Sequence, residues 1–558
     1  MSGRRAIFSG ILIVALLAAL LRVLHVPYKP ERVLAAIPAE ATFVSLHRDL
    51  ASECPRLVDN SVFQALLSAS GASTQEVSAL ASNRASRTWL HRLAKDTTAI
   101  AYVPSLGPSR APAWVFSSWV GNQSQKLRWK VFWFHPSLIR RMAEEYGRTI
   151  YTVRLRMANP RQQLSVALVE GVVVGCLSED PVAARYLVQT FDRQYGRKSV
   201  LTEPAIQAAS LRPSPDRPHQ AWFRMSHTPL PPRNVPALLA CQASIPDRNR
   251  MAFEIALPGA LPRTTASSRG TAPALLLGEA SDLVLTLPTA WLRSLLLDSP
   301  SVPPWMESLQ PLIDAPPSNS MAFAAILNRN HCGRIRGPLG DSLTPFLKGL
   351  RVPTVMMGFQ VPDAQDAARR VGQCLDRLNS RHGLGLIPHP VPASEGTITL
   401  IEESRKNLYG RFEPDERVAW VFRDGWLIFA SNASVLKQRI ANALPSGSAI
   451  RQANAWQAMM DPQTGIDASV WCSTPATSRL LKDAISAVTI SLLFRNPEGT
   501  QQVRHRLDTA RSWAERVQGI GEVHVAIRQS GGWIKAGITA TGTPTNRQER
   551  AGQGSELQ

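Results

Sequence analysis

Two segments of the chain share one distinctive pattern of residues. Residues 164–177 read LSVALVEGVVVGCL and residues 418–431 read VAWVFRDGWLIFAS, so in both an acidic–Gly pair separates two apolar runs. Runs rich in β-branched and aromatic residues favour strands, and an acidic residue followed by glycine favours the tight turn between them. Each copy therefore predicts a β-hairpin, and the repetition favours two units of related architecture.

The segments around the hairpins recur in the same order. A predicted helix and then an aromatic-bearing strand follow each hairpin, while further strands and a predicted helix precede it. The matched segments are 39–50 with 279–291, 96–103 with 320–327, 135–147 with 362–379, 180–192 with 433–444, 205–213 with 455–462, and 221–223 with 469–471. This order predicts that the second half of the chain repeats the architecture of the first.

The spacing of the copies distinguishes one duplication from a short repeat. Gly171 and Gly425 are offset by 254 residues, and Phe43 and Leu283 by 240. Solenoid repeats recur every ~20–50 residues, so these offsets suit a tandem duplication with loop insertions. The alternative is that two α+β domains share a common pattern by chance.

The predicted fold class is α+β. We expect an N-terminal transmembrane helix and two similar, duplicated domains of mostly antiparallel sheet with helices packed on one face. The Gly-rich βα turns of a doubly wound sheet are missing from the sequence. The predicted boundaries are a signal-anchor at 1–30, a first domain at 31–262, a Pro/Ser/Thr-rich linker at 263–274, a second domain at 275–542 and a disordered tail at 543–558.

The N-terminal segment has the composition of a membrane span. Residues 6–21 carry no charge, Arg4 and Arg5 precede them, and the apolar run continues past Arg22 to Val26. Twenty-one helical residues span about 30 Å, the thickness of the hydrocarbon core. A cleaved signal peptide and a buried helix are the alternatives, but cleavage requires small residues after the apolar run, and none follows Arg22 directly.

The basic residues that flank the span do not fix its orientation, because Arg4 and Arg5 are balanced by Arg22, Lys29 and Arg32. A short N-terminal tail ahead of a signal-like segment usually stays in the cytoplasm. We therefore expect a single-pass membrane protein that contacts membrane lipid through this helix, with an extracytoplasmic, periplasmic body.

The distribution of basic residues bears on which macromolecules the chain can bind, and the cysteine spacing bears on zinc sites and disulfides. The net charge is +20, yet no run of five Lys/Arg occurs, which argues against nucleic acid as the partner. A basic surface that binds anionic lipid or nucleic acid stays as an alternative. The six cysteines include no C-x-x-C pair, so no zinc site is predicted, while long-range disulfides remain open.

Familiar catalytic motifs are missing from the sequence. It contains no Walker loop, no H-E-x-x-H and no G-x-S-x-G, so we predict no catalytic residue, no metal ligand and no cofactor. The expected protein is not an enzyme, and an enzyme of unrecognised type is the alternative.

Tryptophans cluster in one part of the first predicted domain. The segment LRWKVFWF at 127–134 is predicted to be a strand with Trp129 and Trp133 on one face. Together with Arg128 and Lys130, these residues form a candidate surface patch that binds a polymer or a membrane surface. Aromatic packing in a sheet core is the alternative.

Two segments resemble a known group of proteins. The phrase AAIPAEATFVSLHRDL at 35–50 and the segment DGWLIFASNASVLKQRI at 424–440 resemble membrane-anchored exported bacterial proteins of unknown function. Those proteins begin their folded region with L-P-A-[DE]-[AT], whereas this chain has Ile37 in place of the leucine. The resemblance implies a bacterial, tethered, extracytoplasmic protein. We therefore predict a non-enzymatic binding or scaffold protein of the cell envelope, with an envelope protein or polymer as partner.

Overall fold

A computed structural model describes most of the chain in two compact units. The described residues are 25–69, 74–107, 111–134, 139–153, 162–203, 218–224, 238–258, 281–296, 307–314, 320–327, 353–393, 396–404, 417–441, 467–495, 500–530 and 533–542. The first unit comprises residues 1–59, 74–246 and 253–258, and the second comprises 60–73, 247–252 and 259–558. The predicted linker and the predicted tail lie outside the described residues.

The described part of the chain contains both helices and strands. The helices are α1 (Arg32–Ala35), α2 (Leu50–Asp59), α3 (Ser61–Ala69), α4 (Thr74–Ser82), α5 (Arg84–Leu93), α6 (Gln123–Phe134), α7 (Ala184–Phe191), α8 (Thr289–Leu296), α9 (Gln310–Ile313), α10 (Ala364–His382), α11 (Ala433–Ala441), α12 (Thr474–Arg495) and α13 (Thr500–Val517). The strands are β1 (Phe43–Arg48), β2 (Thr97–Leu106), β3 (Ala111–Trp119), β4 (Ile139–Glu145), β5 (Arg148–Val153), β6 (Gln163–Val169), β7 (Val172–Ser178), β8 (His219–Arg224), β9 (Leu238–Asp247), β10 (Arg250–Pro258), β11 (Leu283–Pro288), β12 (Ser320–Ile326), β13 (Thr354–Gln360), β14 (Leu386–Ala393), β15 (Gly396–Glu403), β16 (Ala419–Arg423), β17 (Trp426–Ala430), β18 (Ala468–Ser473), β19 (Ile520–Ser530) and β20 (Trp533–Gly542).

The two units have the same strand order. In the first unit it is β4-β5-β6-β7-β3-β2-β1-β8-β9-β10, and the pairings from β4 to β9 are antiparallel. In the second unit it is β14-β15-β16-β17-β13-β12-β11-β18-β19-β20, antiparallel throughout. The helices also match in chain order. Helix α6 follows β3 and α10 follows β13, the third strand of each unit, while α7 follows β7 and α11 follows β17, the seventh strand of each unit. The predicted α+β class with mostly antiparallel sheet is confirmed.

The repeated hairpins form as the sequence predicts. Strands β6 and β7 turn at Glu170 and Gly171, and strands β16 and β17 turn at Asp424 and Gly425. All four residues have positive φ, with values of 43°, 86°, 53° and 77° in that order. Two successive residues with positive φ form the tight turn whose twist matches that of paired strands.

Helices pack on both faces of the second sheet, so the prediction of helices on one face is wrong. On one face, Ile428 and Ala430 of β17 pack in a cluster with Leu436 of α11. On the other face, Leu427 packs in a cluster with Val371 of α10. Strand β17 reads WLIFA without an alternating polar residue, which is the pattern of a strand buried on both faces.

The segment 135–147, predicted as a helix, contains strand β4 instead. Its residues pair with β5 across a turn at Tyr146 and Gly147, where φ is 49° and 69°. The sequence IRRMAEE suits a helix by intrinsic propensity, but its charged side chains also suit an exposed edge strand. The helix of this region lies one element earlier, as α6.

Several predictions rest on residues outside the described part. Residues 1–24 hold most of the predicted membrane segment, and segments 205–213 and 455–462 are also outside it. Within the part of the chain that the structure describes, no helix has the length and apolar character to cross a membrane.

Helix α10 offers a test of local stability. The Asp363 carboxylate caps it by accepting a hydrogen bond from the backbone N–H of Asp366 at 2.8 Å. We expect Asp363→Ala to lower the free energy of unfolding of the second unit by about 1 kcal/mol, because one helix-terminal donor loses its partner. Urea denaturation followed by circular dichroism measures this. Asp376→Ala, in the exposed interior of the same helix, is the control and should change it by less than about 0.5 kcal/mol.

Candidate functional site

The predicted surface patch lies on a helix rather than a strand. Residues Arg128, Trp129, Lys130 and Trp133 all belong to α6, so their assignment to a strand is wrong. A spacing of four places the α-carbons of Trp129 and Trp133 on one side of a helix as well. Trp129 is 51% exposed, and Arg128 and Lys130 are exposed, while the side chain of Trp133 lies outside the described part. Binding by this patch stays a prediction.

A second set of aromatic side chains crosses the sheet of the first unit. Phe43 in β1 lies opposite Tyr102 in β2 and Phe223 in β8, and Tyr102 lies opposite Trp114 in β3. The ring centroids of Phe43 and Phe223 are 5.0 Å apart, and those of Tyr102 and Trp114 are 5.2 Å apart. We call these four residues the aromatic row.

The aromatic row lies on the sheet face opposite the main core. Val44 and Leu46 of β1 belong to the buried cluster, so Phe43 must point to the other side of the sheet. Trp114 is 46% exposed and Phe223 is 37% exposed. Sequence reasoning did not assign these four residues to a site, because the pairing of β1 with β8 joins residues about 180 positions apart. The only local signal is the alternation within FVSLHR.

On the same face, two histidines meet across β1 and β8. The Nδ1 atoms of His47 and His219 are 3.0 Å apart, and His47 Nε2 lies 3.0 Å from Ser45 Oγ. Ser45 donates its hydroxyl proton to the carbonyl of Ile100 at 3.2 Å. Glu53 of α2 reaches within 4.0 Å of His219 Nε2.

This chain of contacts fixes the tautomers. Since the Ser45 hydroxyl donates to a carbonyl, it accepts from His47 Nε2–H, which leaves His47 Nδ1 as an acceptor. His219 then donates from Nδ1, and its Nε2 carries a lone pair with no hydrogen-bond partner. Burial lowers the pKa of His47 to about 3, with a smaller contribution from His219. Burial likewise lowers the pKa of His219, although Glu53 opposes that shift.

The second unit places apolar residues at the matching positions. By strand register, Leu285, Leu287 and Ala468 correspond to Ser45, His47 and His219. Leu287 and Ala468 pack there with Trp291, and Leu285 packs against them. The polar cluster is therefore a property of the first unit and not a requirement of the fold.

The histidine pair does not form a reachable nucleophilic site. Ser45 is 5% exposed, so its hydroxyl is shielded from a substrate although it contacts a histidine. The described cysteines form no disulfide, and burial raises the pKa of Cys176 to about 12 and those of Cys241 and Cys374 to about 11. These thiols stay protonated near neutral pH and are poor nucleophiles.

An open groove of about 460 Å³ lies in the second unit beside α10. Its two arginines have partners within the groove: Arg381 contacts Glu307 at 2.5 Å, and Arg377 donates to Gln310 Oε1 at 3.1 Å. Among the described residues, no group of three or more His, Cys, Asp or Glu side chains is placed to hold a metal ion. The groove is therefore an open surface in which both arginines already have partners.

Comparisons with known proteins give little. No protein-family model matches the chain, and no curated protein matches it. Among solved structures, it is similar to crystal form III of TP0453, with a TM-score of 0.24, 9% identity, and coverage of 40% of this chain and 78% of that one. Crystal form I of TP0453 gives a TM-score of 0.24, 10% identity, and coverage of 42% and 80%. Both similarities are too weak to inform on fold or function.

Proposed function

We propose that the chain is a membrane-tethered, extracytoplasmic, non-enzymatic binding protein of the cell envelope. The observation that carries this proposal is the exposure of the aromatic row. Large apolar side chains that lie together on a surface cost free energy in water, and such patches mark sites of protein or ligand contact. The partner is an envelope component that covers these rings.

The tether rests on the sequence of residues 6–21 and the two arginines before it. An uncharged apolar run of this length behind basic residues suits a signal-anchor. The resemblance of residues 35–50 to the opening of exported, membrane-anchored proteins supports the same topology. In this proposal, the two units lie outside the cytoplasm.

We further infer that the two units arose by duplication. The shared order of ten strands, the matching places of two helices and the shared positive-φ turns all support a common origin. After duplication, one copy kept an apolar interior at positions where the other acquired Ser45, His47 and His219. This divergence suits a protein whose first unit binds and whose second unit supports.

Reporter fusions after Gln558 test the topology. We expect alkaline phosphatase to be active and a cytoplasm-only fluorescent protein to be dark, because the phosphatase needs an oxidising compartment outside the cytoplasm. Deleting residues 6–21 should abolish phosphatase activity and release the chain from the membrane fraction, whereas Trp89→Ala, at an exposed position, should change neither. A fluorescent C-terminal fusion without phosphatase activity would contradict the proposal and favour a cytoplasmic basic surface.

A further inference from the structure

The aromatic row is part of a longer apolar strip. Trp114 lies opposite Leu177 in β7, and Phe223 lies opposite Leu239 in β9. Both leucines are only partly buried. At about 4.8 Å between neighbouring strands, a strip that crosses six strands is about 24 Å long, the length of about 16 residues of α-helix.

The second unit shows how this fold covers the equivalent strip. By register, Leu283 of β11 corresponds to Phe43, and it lies opposite Ala325 and Cys472. Ala476 and Leu480, one turn apart on α12, pack with Ala325 and Leu283 in one apolar cluster. A helix is therefore the element that closes this face of the sheet when the chain supplies the cover itself.

The connection that supplies this cover in the second unit has a shorter counterpart in the first. In the second unit, α12 and α13 lie between β18 and β19. In the first unit, the matching connection between β8 and β9 is residues 225–237, which is shorter than the 22 residues of α12. The side chains of the strip are also larger in the first unit, because aromatic residues lie at the positions of Leu283, Ala325 and Cys472.

We propose that the aromatic row is the docking site for an amphipathic α-helix of a partner protein, seated on the first unit as α12 is seated on the second. This inference rests on the proposed binding function and names the class of partner. The docked helix presents small or aliphatic residues at a spacing of four, as α12 does with Ala476 and Leu480, and buries the exposed faces of Trp114 and Phe223.

The test uses α12 itself as a model helix. A fluorescein-labelled, end-capped peptide of residues 474–495 is titrated against the full chain in nanodiscs, and binding is followed by fluorescence anisotropy. We expect saturable binding that W114A/F223A weakens at least about tenfold, because buried aromatic anchors dominate such interfaces. Both side chains also pack against neighbouring rings, so thermal unfolding of W114A/F223A is measured first, and binding is compared at a temperature at which both chains are folded.

Control variants of the chain and of the peptide show whether binding occurs at the aromatic row. Trp89 is 50% exposed on α5, outside the row, so Trp89→Ala should leave the affinity unchanged. A peptide with L480D should lose binding, while one with R479A, at an exposed position of α12, should keep it. Equal affinity for the wild-type chain and W114A/F223A would overturn the inference.

If the aromatic row binds a lipid or a polysaccharide instead of a helix, titrations with those ligands reveal it. Calorimetric titrations with monomeric dihexanoyl phosphatidylglycerol and with a β-1,4-linked N-acetylglucosamine tetramer run in parallel. If only one of these binds, and W114A/F223A abolishes that binding, the helix is the wrong partner and the proposed binding function stands. If none of the three probes binds, the helix inference fails, while the reporter fusions still decide the topology.

Discussion

Lowering the pH from 7.0 to 4.5 should destabilise the first unit by about 2–3 kcal/mol and leave the second nearly unchanged. The ordinary pKa of histidine is 6.5, and that of His47 in the folded chain is about 3. Between these values the unfolded chain binds a proton that the folded chain excludes. The free energy of unfolding therefore falls by about 1.4 kcal/mol for each pH unit below 6.5.

The direction of this effect follows from the groups that face the pair. The contribution of neutral His47 to the free energy of unfolding is fully present above pH 6.5 and is lost as the pH falls toward 3. His219 acts in the same direction, since burial lowers its pKa as well, and Arg56 adds to that shift while Glu53 opposes it. Urea unfolding at both pH values, with pulse-proteolysis fragments assigned to each unit by mass, measures the two units separately.

The second unit supplies the control for this prediction. The variant H47L/H219A carries the residues found at the matching positions of the second unit and should remove most of the pH dependence between 7.0 and 4.5. His91 is exposed on α5, so His91→Gln should leave the dependence intact. A slope that survives in H47L/H219A would show that other groups control the acid sensitivity.

Local patterns predicted much of this fold. The turns at Gly171 and Gly425 follow from acidic–Gly pairs, and the helix predicted at 362–379 forms as α10. The recurrence of these signals in one order predicted two units of similar architecture. All of this information lies within short stretches of chain.

Local sequence preference predicted the wrong secondary structure where tertiary packing determines the conformation. The segment LRWKVFWF has strand-like residues but forms α6, and IRRMAEE has helix-like residues but forms β4. The aromatic row and the histidine pair were missed for another reason. Each requires the pairing of β1 with β8, and no local pattern specifies which distant strands become neighbours.

Replacing Gly171 by alanine should cost about 3 kcal/mol in the first unit, whereas the same change at Gly425 should cost only about 1 kcal/mol in the second. Both glycines have positive φ, at 86° and 77°, so either substitution strains the backbone by about 1 kcal/mol. The two positions differ in their surroundings. A Cβ on Gly425 would have open space, with the nearest atom, the Val361 carbonyl oxygen, at 3.9 Å.

A Cβ on Gly171 would meet the N-terminal segment and the core. It would lie 2.6 Å from Val26 Cγ1 and 3.1 Å from the indole of Trp119. The Gly171 carbonyl also accepts two backbone hydrogen bonds at 2.9 Å, from Val120 and Gly121, which limits how far the turn can move. Overpacking of this kind typically adds about 1–3 kcal/mol to the backbone cost.

The double variant V26A/G171A separates the two causes. Removing the Val26 methyl groups relieves the shorter contact but leaves the positive φ and the Trp119 contact in place. The double variant should therefore be more stable than the sum of the single changes predicts, by about 1 kcal/mol in urea denaturation. Additive effects would mean that Val26 does not pack against this turn. Equal costs for G171A and G425A would mean that backbone strain alone sets the penalty at both turns.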